Sequence, residues 1–288
     1  MSEIRGAVAV ITGAGSGIGR ALALNMTSRG AQVALADVNA AGLEETRKAL
    51  GSTTTRTYVV DVSSAAAVQE FARAVEQDFG RASILINNAG VALFGTFTEL
   101  TLEEFDWLMR INFWGVIHGC KFFLPMLLRQ KEARIVNISS VFGLFGPPGQ
   151  TAYCSSKWAV RGFSDSLREE LRAGPVKVTC VHPAGIATNV AVNARRGTAT
   201  RAAEQEEALE RFKKAAQISP ESAAETIVQG ILKDHDRVLI GRDAYFIDRL
   251  ARLFPVRASA MLTSWLHKRT ESKESASATT AASESKSH

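Results

Sequence analysis

Short apolar runs separated by helix-patterned stretches pass through this chain of 288 residues from end to end. The runs are 7–12, 32–37, 57–61, 84–87, 134–139, 176–182 and 238–240. Strand-length segments that are almost continuously apolar are buried on both faces, which requires a parallel sheet covered by helices on each side. Helical patterns at 18–28, 65–79, 102–128 and 153–171 fill the intervals, as right-handed crossovers demand. Local signals agree. Thr101 with Glu104 forms a capping box, and Ser219-Pro220 places an N-cap before an N1 proline. The expected fold is α/β, a doubly wound parallel sheet of about seven strands, with ligands beyond the carboxyl ends of the strands.

Composition sets limits on function. The chain is 46% hydrophobic and 22% charged, with a formal net charge of +5. Its Lys and Arg residues form no dense block interleaved with aromatics, so nucleic acid is not an expected partner. Three scattered cysteines, Cys120, Cys154 and Cys180, lack metal-ligand spacing and suit a reducing cytoplasm. The first apolar run is too short for a signal peptide, and no stretch reads as long and apolar enough to span a bilayer. The expected organisation is one Rossmann-type domain over 1–245, an amphipathic extension over 246–269, and a tail at 270–288. That tail is almost all Ser, Ala, Thr, Glu and Lys and is expected to be disordered.

The first strand runs into Thr12-Gly13-Ala-Gly-Ser16-Gly17-Ile18-Gly19 and then a helix. Glycines permit a tight turn and close backbone approach, and a helix N-terminus offers unpaired amides to pyrophosphate. The second strand ends in Asp37, placed to accept ribose hydroxyls and to repel a 2′-phosphate. Ser16, Val38 and Asn39 bring no countering cation, and Arg20 is expected to point along its helix, away from the ribose. NAD is therefore favoured over NADP.

Tyr153 and Lys157 lie one helical turn apart on one face. An ammonium there is expected to lower the tyrosine pKa. A drop of roughly three units takes about 4 kcal/mol, shared between the lysine and an oxidised nicotinamide. The result would be a base suited to deprotonating an alcohol near neutral pH.

With Gly13, Gly17 and Gly19, Asp61-Val62, Asn87-Asn88-Ala89-Gly90, Asn112, Ser140, Tyr153 and Lys157 in order, the chain resembles the short-chain dehydrogenase/reductase family over about 5–245. The resemblance implies Tyr153 as general acid/base and Lys157 as its modifier and holder of the nicotinamide ribose. It implies Ser140, rather than Ser139, as hydrogen-bond donor to the substrate oxygen. Asn112 is implied to hold a water leading to Lys157, with bonding to neighbouring backbone as the alternative. Asp61 and Val62 would contact adenine, and Asn88, Ala89 and Gly90 would line the cofactor, although Asn87 and Asn88 equally suit tying strands together. Ile186 would present its backbone to the carboxamide, with Thr188 beside the pyrophosphate. The usual Pro-Gly is here Pro183-Ala184-Gly185, which fits if Ala184 avoids positive φ.

The implied reaction is hydride exchange between a nicotinamide and a secondary alcohol or ketone, by a homodimer or homotetramer built on the 102–128 and 153–171 helices. Phe142, with Val91, Leu93, Phe94, Phe97, Leu144, Phe145, Pro147, Pro148, Val190 and Val192, suggests an apolar small-molecule substrate or else ordinary core. A reductase of small ketones or diketones and a non-catalytic nucleotide sensor are the alternatives. Residues 189–217 are expected to form a helical lid. Arg195 and Arg196 read as solvated surface, with an anionic ligand as the alternative. The extension has apolar residues at helical spacing and arginines on the other face. Docking on its own domain or a second subunit is favoured for it over a membrane surface.

Overall fold

A computed structural model of the chain describes residues 3–51 and 54–265. The tail expected to be disordered, and residues 266–269 of the extension, lie outside them.

Seven parallel strands form the central sheet in the order β3-β2-β1-β4-β6-β7-β9. They are β1 (Val8–Thr12), β2 (Gln32–Asp37), β3 (Thr55–Val59), β4 (Ile84–Asn87), β6 (Ala133–Ile138), β7 (Val176–Pro183) and β9 (Arg237–Ile240). Every residue of β1 is buried, because helices cover both sides. On one face α1 (Gly17–Ser28), α2 (Ala40–Leu50) and α9 (Pro220–Leu232) pack on Ile11, Val33, Leu35 and Ile86. On the other, α3 (Ala65–Phe79), α5 (Gly115–Leu128) and α6 (Thr151–Glu170) enclose Val10, Leu85, Ile135 and Val178. The chain leaves β1 toward β2 and β3, then returns to pair β4 on the other side of β1. That reversal is the topological switch point, and it opens a crevice at the carboxyl ends of β1 and β4. The fold is the Rossmann-type architecture expected.

Both caps form as expected. Thr101 accepts from the Glu104 amide while the Glu104 carboxylate accepts from the Thr101 amide. Ser219 accepts from Ser222 N at the start of α9.

Four expectations need correction. The third strand begins and ends two residues earlier than expected, because its ladder with β2 pairs Val33 with Thr55 and Asp37 with Val59. The 102–128 helix is not uniform. It consists of α4 (Leu102–Met109), a π-helical turn (Arg110–Trp114) and α5. Such a turn shifts pairing from i→i+4 to i→i+5, and here it carries buried Asn112 into the cleft region. By length and composition this continuous helix is also long and apolar enough to cross a membrane, contrary to the sequence reading. In the fold its inner face packs into the core, and 44% of its apolar window is buried.

The third correction concerns the lid, which is not one helix. It divides into α7 (Asn189–Val192), β8 (Arg195–Arg196) and α8 (Ala202–Ala215). Strand β8 pairs in parallel with β5 (Leu93–Phe94) and anchors the segment to the loop after β4. Last, the extension starts earlier than expected, as α10 (Arg242–Leu253), and a second helical segment spans 258–265. Ala244, Ile247, Ala258 and Leu262 bury against Val141, Leu144 and Phe145, so the extension docks on its own fold.

Candidate active site

The crevice is built from the ends of β1, β2 and β4. Thr12 Oγ1 accepts from Asn88 N and Ala89 N, both at 3.0 Å, while Asn88 Nδ2 donates back to Thr12 O at 2.9 Å and Gly13 O at 3.2 Å. The Asn88 side chain therefore ties two strand ends together, the reading held open from sequence. Gly19 packs its bare Cα against the Gly13 carbonyl, where a methyl group would collide with backbone. Gly17 takes φ 51° and faces the Thr188 side chain, so Thr188 stands at the N-terminus of α1. Ser16 precedes that helix and makes no side-chain capping bond to it. Bare glycine backbone, the helix N-terminus, Ser16 and Thr188 together fit a dinucleotide pyrophosphate.

At the end of β2 the Asp37 carboxylate accepts from Gly15 N and from Asn39 N, each at 2.9 Å. A carboxylate has about four acceptor positions, so capacity remains for two hydroxyls. Arg20 departs from expectation. Its guanidinium folds back to the Gly15 and Gly42 carbonyls and Thr46 Oγ1, and it pairs with Glu45 at 2.7 Å. The cation lies at the same glycine turn as Asp37, satisfied by its own partners. Past β3, Asp61 is exposed and accepts from Ser63 N. Val62 is 8% exposed, with its carbonyl 2.9 Å from His118 Nδ1. Ile186 buries its side chain in the core and bridges Ile218, and its carbonyl accepts from Thr188 N at 2.9 Å. Ala184 has no positive φ; among the described residues only Asp234 combines a side chain with one.

The catalytic candidates converge on α6. Lys157 is 4% exposed and donates from Nζ to Ile138 O at 3.0 Å, with Nζ 5.6 Å from the Tyr153 ring centre. A Cβ on Gly90 would crowd Asn112 Oδ1 at 3.3 Å and touch Lys157 Nζ at 3.6 Å. The two serines after β6 separate clearly. Ser139 Oγ donates to the Lys157 carbonyl at 2.8 Å, holding α6 in place. Ser140 Oγ accepts from Phe142 N at 3.1 Å, and its hydroxyl lies close enough to the Tyr153 phenol to pull its pKa down. Asn112 spends its side chain on Val91 N, Val91 O and Ser156 Oγ, which matches the backbone-bonding alternative.

Burial acts on both titrating groups. It pushes Tyr153 up to about 12 against the pull of the Ser140 hydroxyl, and it pushes Lys157 down to about 8. The lowering expected of Tyr153 is thus not produced by the protein groups alone. Desolvation of the phenolate outweighs the Ser140 hydroxyl, while the Lys157 ammonium faces the ring and donates to a carbonyl.

Asn87 ties strands, as the sequence alternative held: its Nδ2 donates to Asn137 Oδ1 at 2.9 Å, and Asn137 Nδ2 donates to Ser164 Oγ at 3.0 Å, a buried relay joining β4, β6 and α6. Asn137, Ser164 and His182 escaped the sequence reading. His182 at the end of β7 lies 3.0 Å from Ser140 O through Nδ1. Its Nε2 has no hydrogen-bond partner among the described residues, and burial drives it down to about 4, so it is neutral. A lone histidine in an apolar strand gave no signal of this contact.

On the substrate side, Leu93, Leu144 and Phe145 are core. Phe142 stays half-buried, its ring edge-on to Tyr153 at 6.1 Å and to Phe145 at 5.4 Å. Phe97, Val190 and Val192 are exposed. Arg195 and Arg196 are exposed, as read from sequence, and the Arg195 guanidinium stacks 3.8 Å from the Trp107 ring centre. Glu104, already in the capping box, also accepts from Thr198 N and Oγ1 and fastens the segment after β8 to α4.

This arrangement can be set beside known proteins. Residues 7–199 match the short chain dehydrogenase family. The chain belongs to the short-chain dehydrogenase/reductase family. Among similar proteins, SadH of Mycobacterium tuberculosis is 46% identical over 259 residues, covering 88% of this chain and 92% of SadH. Estradiol 17-beta-dehydrogenase 11 of Pongo abelii is 32% identical over 270 residues, covering 90% and 83% of the two chains. A short-chain dehydrogenase/reductase from Burkholderia phymatum, solved in complex with NAD, superposes with a TM-score of 0.82. It is 33% identical and covers 88% of this chain and 95% of its own. As a member of this oxidoreductase family, the chain is an enzyme scaffold for a nicotinamide cofactor and a small-molecule substrate.

Proposed function

We propose that this short-chain dehydrogenase/reductase is an NAD-dependent enzyme interconverting a secondary alcohol and a ketone on an apolar substrate. The observation that carries the reading is the convergence of Ser140, Tyr153 and Lys157 beside Gly90. When bound, the nicotinamide supplies the hydride acceptor and, in its oxidised form, a positive charge near the phenol. Tyr153 Oη takes the alcohol proton, and Ser140 Oγ steadies the substrate oxygen as charge develops on it. Lys157, charged below about pH 8, stabilises the phenolate that forms. Its long side chain also has donors to spare for a ribose, since Ile138 O takes only one.

Asp37 supports NAD over NADP, because a 2′-phosphate would meet a carboxylate already fixed by Gly15 and Asn39, and Arg20 is held by Glu45. The NAD complex of the Burkholderia relative points the same way. Phe142, Phe97, Val190 and Val192 at the substrate side, and the similarity to an estradiol dehydrogenase, support an apolar alcohol. Exposed Trp114, Leu128 and Trp158 on the π turn, α5 and α6 support a homodimer or homotetramer.

The test is the initial rate of NAD reduction over secondary alcohols from small diols to steroids, with NADP in parallel. The reading expects NAD-dependent turnover that improves with apolar size. Turnover with NADP only, or confined to small diols and diketones, would overturn the cofactor or the substrate assignment respectively.

A further inference from the structure

The outer face of α10 carries one continuous stripe, Arg242, Tyr245, Phe246, Arg249, Arg252 and Leu253, at spacings of three and four residues. The opposite face, Ala244, Ile247 and Asp248, is buried against the fold, so the stripe cannot be an unused core face. Its apolar members are open: Tyr245 is 53% exposed, Phe246 45% and Leu253 72%. The turn that follows extends the surface through Phe254 and through Val256, which is 92% exposed. The second segment folds back so that the Trp265 and Phe246 rings lie 5.3 Å apart.

Charge on this surface has one sign. Arg242, Arg249 and Arg257 are exposed and carry no ion pair among the described residues, while Arg252 pairs with Asp248, which Arg237 already engages. Aromatic and aliphatic side chains interleaved with unpaired arginines form the two-part chemistry of an interfacial helix. Rings and methyl groups enter the acyl boundary, while guanidinium groups meet anionic headgroups.

We propose that α10 and the turn after it form a docking surface for an anionic lipid bilayer. The same helix backs the loop carrying Ser140 and Phe142, through Val141, Leu144 and Phe145. Docking would therefore bring the substrate side of the cleft close to a lipid phase. The binding itself depends on neither the cofactor nor the substrate assignment.

The test is sedimentation of the full chain with phosphatidylcholine vesicles, with and without phosphatidylglycerol. The wild type is compared with Phe246→Ser/Leu253→Ser and with Arg249→Gln/Arg257→Gln, and the melting temperature of each variant is checked against wild type. The expected result is pelleting with the anionic vesicles only, weakened by about fivefold for each arginine removed. It should be abolished in the apolar variant, with melting temperatures unchanged. Equal pelleting of all three proteins would overturn the proposal, because binding would then lie elsewhere. No pelleting, together with a lower oligomeric mass in the apolar variant by light scattering, would also overturn it and assign the surface to a second copy of this chain.

Discussion

Asn112 grips Val91 at both ends of its backbone: Oδ1 accepts from the amide at 2.8 Å and Nδ2 donates to the carbonyl at 3.0 Å. Side chain and backbone thereby fix the exit of β4, where Gly90 lets Asn112 approach closely. Asn112→Leu strands a part-buried amide and carbonyl at once, and a cost of about 2 kcal/mol is expected. Denaturant unfolding should show that loss together with a fall in kcat. An unchanged unfolding midpoint would mean that the Val91 bonds are dispensable.

How far the sequence reached follows from these contacts. The parallel sheet was legible because apolar runs of strand length have few other uses, and the glycine turn because its motif sits between a strand and a helix. The preference for Ser140 over Ser139 came from the family resemblance, and the structure gives it a physical basis in the Ser139 bond to the Lys157 carbonyl. The π turn was not legible, since no local residue in 110–114 marks it and its Asn112 bonds a partner 21 residues away. Arg20 was misjudged for a similar reason: its direction is set by Glu45 and the Gly42 carbonyl, both on α2. Burial of the phenol, which raises Tyr153, is a property of packing that no i, i+4 spacing reports.

Lys157 gives a pH signature. Its folded pKa is about 8 against an ordinary 10.5, so between those values the unfolded chain binds the extra proton. Stability should therefore rise with pH across that window, from a burial penalty of up to about 3 kcal/mol at neutral pH. Tyr153 acts the other way. Its pKa rises from 10 to about 12, so its contribution is complete below pH 10 and is lost through pH 12. Comparing wild type with Lys157→Met isolates the lysine. The variant should be the more stable protein at pH 7, by an amount that shrinks toward pH 10, and inactive. Equal destabilisation at both pH values would contradict this.

His182 should set part of the acid limit. Its pKa falls from 6.5 to about 4 by burial, so the unfolded chain gains a proton first. Up to about 3 kcal/mol is lost as pH drops through that window. His182→Asn keeps an amide donor for the Ser140 carbonyl and removes the titration. Its stability should be flatter between pH 6.5 and 4, with alcohol oxidation kept, and an identical acid profile would exclude His182 as a cause.

Asp37 and Glu45 should together set the cofactor preference. Asp37→Ala removes the carboxylate facing a 2′-phosphate, and Glu45→Gln releases Arg20. Each change is expected to shift the ratio of kcat/KM for NADP over NAD upward, by about tenfold for Asp37→Ala. The double variant should shift furthest. A ratio unmoved by either change would place discrimination elsewhere.

The most direct test of the central claim is turnover and NADH binding measured side by side for wild type and Tyr153→Phe, on the best alcohol from the panel. Loss of the acid/base hydroxyl should reduce kcat by about a thousandfold while NADH affinity, read by fluorescence titration, stays within a few-fold. Wild-type turnover in Tyr153→Phe would contradict the assignment of Tyr153 as the proton-transferring group. Tight NADH binding with no turnover by either protein on any alcohol would contradict catalysis altogether and favour a nucleotide sensor.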